Sequence, residues 1–119
     1  MNKRAVGTEY EDKAADFLIS RNVLIKERNF RFHKLGEIDI IGYDDGYLVF
    51  FEVKYRKNAA KGRAEEAVDV RKASVISRVS DAYRMLKHIS QDVAMRFDVI
   101  AINGDEINWI KNAFPYMGH

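Results

Sequence analysis

The chain predicts an α/β fold, a central mixed sheet flanked by helices, in the order helix, three strands, helix, two strands. Three observations carry that prediction. Apolar residues recur at helical spacing in two separated segments, one around Ala14 and one around Val79. Runs rich in β-branched and aromatic residues lie between and after them. Two short Gly-containing turns, Asp44-Asp45-Gly46 and Asn103-Gly104, join neighbouring runs into hairpins. Because a helix intervenes between the third and fourth strands, those two run parallel through a right-handed crossover, and the sheet is mixed.

Each element has its own grounds. Tyr10, Ala14, Phe17 and Leu18 place a first amphipathic helix at about residues 8–21, with Thr8 as N-cap and Glu9 in the first turn, where the helix dipole favours an acid. Val23 to Phe32 mixes β-branched, aromatic and basic residues and reads as an edge strand, with Arg28, Arg31 and Lys34 facing solvent or a ligand. Gly36 opens a second strand ending near Tyr43, and Tyr47 to Arg56 is the third. Period-two alternation puts Leu48, Phe50, Glu52 and Lys54 on one face of the third strand and Tyr47, Val49, Phe51, Val53 and Tyr55 on the other. On the second strand Glu37, Asp39 and Ile41 share a face. Residues 57–70 lack periodicity and read as a mobile loop with a helical turn near Ala64 to Val68. From Arg71, the positions Val75, Ile76, Val79, Ala82, Tyr83, Leu86 and Ile89 form the stripe of a long helix, with His88 near its C-terminal end suiting the dipole. Val93 to Ile102 is a fourth strand, Ile107 to Ile110 lies in a fifth, and the tail from 113 to 119 is expected to fray.

At 119 residues the chain is read as one domain, residues 1–119. Cysteine is absent, which removes disulfides, thiolate metal sites and thiol nucleophiles. The basic N-terminus has no apolar run behind it, so no membrane association and a cytoplasmic location are expected. Net charge is only +2, yet the basic residues cluster: Lys54, Arg56, Lys57, Lys61 and Arg63 occur without an intervening acid. Arg71, Lys72, Arg78, Arg84 and Lys87 follow against a single Asp81. Such local surfaces hold phosphate backbone even at low net charge, although solvated faces look the same in sequence.

The chemistry concentrates in Asp39, Glu52 and Lys54, charges that interrupt segments otherwise reading as sheet interior. Buried charge is costly unless it is paired, hydrogen-bonded or bound to metal. If the hairpin turns Asp39 and Glu52 the same way, two carboxylates and an ammonium meet in one patch. Mg²⁺ takes oxygen ligands and retains waters, so Asp39, Glu52 and the Val53 backbone carbonyl suffice as protein ligands, with Mn²⁺ able to substitute. Lys54 would orient water or stabilise charge on a phosphate. On spacing alone, an inert ion-pair network accounts for the three charges as well as a metal site does.

Gly36-Glu37-Ile38-Asp39-Ile40-Ile41, followed by Val49-Phe50-Phe51-Glu52-Val53-Lys54-Tyr55-Arg56, resembles the core motif of the PD-(D/E)XK nuclease superfamily, whose fold is the restriction-endonuclease-like αβββαβ core. More narrowly, the chain resembles the YraN-like family of small bacterial endonuclease-related proteins. The supporting blocks are Gly7-Thr8-Glu9, Asn29-Phe30-Arg31, Ala67-Val68 before Lys72, Ala82-Tyr83, Arg96 to Ala101 and Asn112-Ala113-Phe114. Ile38 departs from the superfamily's nominal Pro. The resemblance implies that Asp39 and Glu52 are metal ligands, that Lys54 is the catalytic lysine, and that Glu9 is a carboxylate brought in by the first helix. A comparable helical Glu serves the more distantly similar archaeal Holliday-junction resolvases, which act as dimers. The resemblance also implies a basic residue at Lys72.

The expected function is Mg²⁺-dependent endonucleolytic hydrolysis of structured or branched DNA, with DNA favoured over RNA and a homodimer matching a two-fold branched substrate. Arg31, Arg56, Lys57 and Lys72 are the expected phosphate contacts, and Glu37, sharing a face with Asp39, is expected to support it. The alternative is a non-catalytic nucleic-acid-binding adaptor with the same fold.

Overall fold

The computed structural model describes residues 3–57, 64 and 68–118, with side chains from residue 6 onward. Helix α1 spans Lys3–Ser20 and strands β1, β2 and β3 span Leu24–Phe32, Gly36–Asp44 and Tyr47–Arg56. Helix α2 spans Val70–Leu86, followed by β4 at Met95–Asn103 and β5 at Glu106–Phe114. The strands form one five-stranded sheet in sequential order. The pair joined through α2, β3 and β4, is parallel; the other neighbours are antiparallel. This is the mixed sheet that two hairpins and an intervening helix predict.

One helix covers each face. Val49, Phe51 and Val53 of β3 pack with Tyr10, Ala14, Ala15 and Leu18 of α1, while Leu48 and Phe50 pack with Ile76, Val79 and Tyr83 of α2. The period-two alternation of β3 therefore sorts its side chains between two cores. Phe50 and Phe51 are both fully buried, a gain of roughly 1.5–3 kcal/mol each relative to exposure. The β2–β3 turn has Asp45 at φ 51° and Gly46 at φ 83°, the two positive values a type I′ hairpin needs.

Several local expectations are corrected. Helix α1 begins before Gly7, so Thr8 lies inside it rather than capping it, and Glu9 is not in its first turn. The second hairpin turns at Gly104-Asp105, with Asn103 paired to Glu106, one step later than the Asn103-Gly104 signal suggests. The Asn103 side chain instead accepts the Ala64 N–H at 2.8 Å. Helix α2 stops at Leu86, and His88 lies beyond it at φ 54°. Of the tail expected to fray, the described residues are docked: Phe114 is the last residue of β5, the Met117 N–H donates to Ser77 Oγ at 2.9 Å, and Tyr116 donates to Asp81 at 2.5 Å. The loop expected over 57–70 lies mostly outside the described residues; within it Ala64 is buried against Val99 and Ala101.

Candidate functional site

The site begins where β2 and β3 part. Their ladder runs from Asp44↔Tyr47 to Ile40↔Phe51 and ends there, one pair short of Asp39 and Glu52. The Val53 N–H, freed from the ladder, donates to Asp39 Oδ2 at 2.8 Å. A carboxylate thus stands in for the missing strand carbonyl and is held at the fork. Ile38 packs on the α2 side of the sheet and Ile40 on the α1 side, so the strict alternation expected along β2 breaks at Asp39. The expected common face for Glu37, Asp39 and Ile41 gives way to a bend that aims Asp39 at β3. Val53 meets Asp39 through its N–H.

Glu52 occupies the α2 side of β3 and is 4% exposed. Lys54 Nζ stands 3.4 Å from its Oε1, and Lys72 Nζ, from the first turn of α2, stands 3.7 Å from the same oxygen. Asp69 caps α2 by accepting the Lys72 N–H at 2.8 Å, which fixes the backbone from which that ammonium reaches. The other carboxylate oxygen, Oε2, is buried and has no hydrogen-bond partner among the described residues, although Glu52 accepts from the Asp39 carboxyl when that group is protonated. Burial, and then the neighbouring Glu52, push the Asp39 carboxyl well above the ordinary carboxylate range despite the Val53 N–H. Burial raises Glu52 too, against the pull of Lys72 and Lys54. Two acids crowded into a desolvated corner, with an oxygen left over, form a site that a cation would relieve.

From α1, the carboxylate whose field reaches Asp39 is Glu11. Glu9 is 61% exposed and lies 4.0 Å from Lys13 on the same helix. Glu11 falls in line with buried Ala15 and Leu18 at spacings of four and seven, whereas Glu9 does not. That spacing is the signal by which the sequence could have found it. Asn29 completes the corner: its Nδ2 donates to Glu11 at 2.6 Å and to Glu37 at 2.9 Å, tying α1 to β2. Asn29 sits at φ 54°, a conformation Asn tolerates better than most residues, and its role was not read from sequence. Glu37 also contributes to the rise of Asp39 and lies 3.7 Å from Arg31.

The expected phosphate contacts differ in exposure and pairing. Arg31 and Lys57 are exposed, Arg56 is half-buried and donates to the Tyr55 carbonyl at 3.2 Å, and Lys72 is turned onto Glu52. Arg28, expected to face solvent or a ligand, is instead engaged by Asp12 at 2.7 Å. Asp98 is structural: it is fully buried and accepts from Arg96 Nε at 3.0 Å, Trp109 Nε1 at 2.8 Å and the Asn112 N–H at 2.9 Å. Among the described residues no group of three or more His, Asp or Glu side chains is gathered so as to hold a metal ion. Two carboxylates remain a fitting donor set for Mg²⁺, which keeps several waters.

Fold and site together define a three-layer α/β protein with a paired-carboxylate and lysine site at a strand fork. Residues 10–102 match the model of the uncharacterised protein family UPF0102. Over 99% of both chains the sequence is 42% identical to a UPF0102 protein of Lachnoclostridium phytofermentans. It is 45% identical to one of Fusobacterium nucleatum over 94% of this chain and 92% of that one. A relative in Acetivibrio thermocellus is 43% identical over 95% and 93%. The chain belongs to the UPF0102 family. Among the described residues no helix is long and apolar enough to cross a membrane.

Proposed function

We propose that the protein is a Mg²⁺-dependent endonuclease that hydrolyses phosphodiester bonds in structured or branched DNA. The observation that carries this reading is the meeting of two buried carboxylates, Glu52 and a desolvated Asp39 that burial and Glu52 push toward protonation, with Glu52 Oε2 lacking a partner among the described residues other than a protonated Asp39. A cation is the partner such a pair needs. The resemblance of the Asp39, Glu52 and Lys54 segment to PD-(D/E)XK nucleases supplies the reaction class.

Asp39 and Glu52 would hold the metal, with the Val53 carbonyl as a further oxygen. When bound, the metal lowers the pKa of water and offsets charge on the phosphate. Lys54, one strand period beyond Glu52 and 22% exposed, keeps its ammonium at the rim, where it orients the attacking water or stabilises the phosphate. Exposed Arg31 and Lys57 grip the backbone on either side without reading sequence.

Cleavage of a four-way junction with Mg²⁺ or Mn²⁺ tests the assignment. Glu52→Ala is expected to cleave at least about a hundredfold more slowly than wild type. Equal rates remove Glu52 from catalysis. One observation favours the adaptor reading: Glu52 already has two ammonium neighbours. In that case junction binding needs no divalent ion and survives Asp39→Asn.

A further inference from the structure

Two ammonium groups converge on one oxygen of Glu52, but they are held differently. Lys54 extends from the same strand, lies 3.4 Å away and is 22% exposed. Lys72 reaches across from α2, lies 3.7 Å away and is 41% exposed. Within Glu52, both cations take Oε1, and among the described residues neither reaches Oε2. Both cations thus favour the ionised carboxylate against the burial that opposes it, and the more exposed of the two, Lys72, comes from another element.

Resting on the metal-site reading above, we propose that Lys72 is a displaceable counter-ion that couples metal binding to nucleic-acid binding. Lys72 neutralises Glu52 when the site holds no metal, and its charge opposes entry of a divalent cation. A phosphate of the nucleic-acid backbone, arriving at the half-exposed ammonium, offers Lys72 a competing anion. Lys72 turns to the phosphate, Glu52 loses one of its two cations, and the divalent ion binds more tightly. By linkage, the metal strengthens phosphate binding by the same factor. Lys54, closer to Glu52 and less exposed, stays with it. The site therefore favours loading with metal when substrate is present. Lys72 acts through Glu52 and is a positioning residue.

The test is Mn²⁺ affinity at pH 8, read from the protein's melting temperature during metal titration. Wild type is compared with Lys72→Ala and with Lys87→Ala, a charge-matched control whose ammonium pairs with Glu27 instead. Lys72→Ala is expected to bind Mn²⁺ about fivefold tighter or more, and Lys87→Ala as wild type does. A short DNA duplex should tighten Mn²⁺ binding to wild type and leave Lys72→Ala little changed. Equal or weaker Mn²⁺ binding by Lys72→Ala overturns the counter-ion role while leaving the metal site standing. Equal tightening by duplex in both proteins overturns the coupling. Absence of Mn²⁺ binding in all three overturns the metal site as well.

Discussion

At the scale of single residues, the site is built by withholding partners. Among the described residues Asp39 takes one backbone N–H, Glu52 takes two cations on one oxygen, and the other oxygen has no partner but a protonated Asp39. A core built only for stability would not leave two acids so placed, since unpaired buried charge is expensive. Relieving that arrangement should stabilise the protein. Asp39→Asn keeps an acceptor for the Val53 N–H and removes the ionisable group. The carboxyl pKa of Asp39 is raised in the folded state, so wild-type stability falls as pH rises from the unfolded pKa to the folded one and stays level above it; below the unfolded pKa the wild type bears no such cost. In metal-free buffer Asp39→Asn is therefore expected to gain roughly 1 kcal/mol at pH 8, a gain that shrinks toward zero near pH 4. Urea unfolding at the two pH values checks it, and a loss of stability at pH 8 refutes it. Asp44 titrates in the opposite sense. Burial opposes its charge, but Arg96 and Lys111 outweigh that and lower its pKa, so its contribution is present at neutral pH and is lost on acidification.

At the scale of elements, both helices stop in the same way. After α1 the Val23 N–H donates to the Leu18 carbonyl at 3.0 Å and the Asn22 N–H to Ile19 at 3.1 Å, with Asn22 at φ 69°. After α2 the Ile89 N–H donates to Arg84 at 3.0 Å and the His88 N–H to Met85 at 3.2 Å, with His88 at φ 54°. Both are Schellman closures, each followed by an apolar residue, Val23 or Ile89, that packs on a core. Asn and His both occur in the left-handed conformation, but each bears a Cβ cost there that glycine avoids. His88→Gly is expected to stabilise by about 1 kcal/mol. Denaturant unfolding measures this, and an unchanged midpoint counts against the strain. Sequence reading extended the α2 stripe through Ile89 because Ile89 does face the core. The backbone nevertheless turns at His88, and apolar spacing alone does not register that turn.

At the scale of the whole molecule, the sheet carries one helix on each face and the site lies at the fork of its second and third strands. Net charge is only +2, so affinity for a polyanion must come from local groups. If Arg31 and Lys57 each neutralise one phosphate, replacing either with Ala should flatten the plot of log affinity against log salt by about 0.9. Fluorescence anisotropy across a salt series checks it; a slope that does not move removes that residue from the interface. The docked tail has a related lesson. Residues 113–119 look like a frayed end because they lack periodicity, yet Tyr116 and Met117 find partners on α2. Those partners are far away in sequence.

Strand alternation, hairpin turns and helical stripes are short-range patterns, and they determined the element order, the mixed sheet and the burial of β3 between two layers. They also marked Asp39, Glu52 and Lys54, because charge inside an apolar strand stands out against its neighbours. Tertiary structure alone decided where the β2–β3 ladder ends and that Lys72 leans on Glu52. Each of these depends on how a helix is rotated and seated on the sheet. That rotation is set by side-chain packing between elements distant in the chain, and no local pattern encodes it.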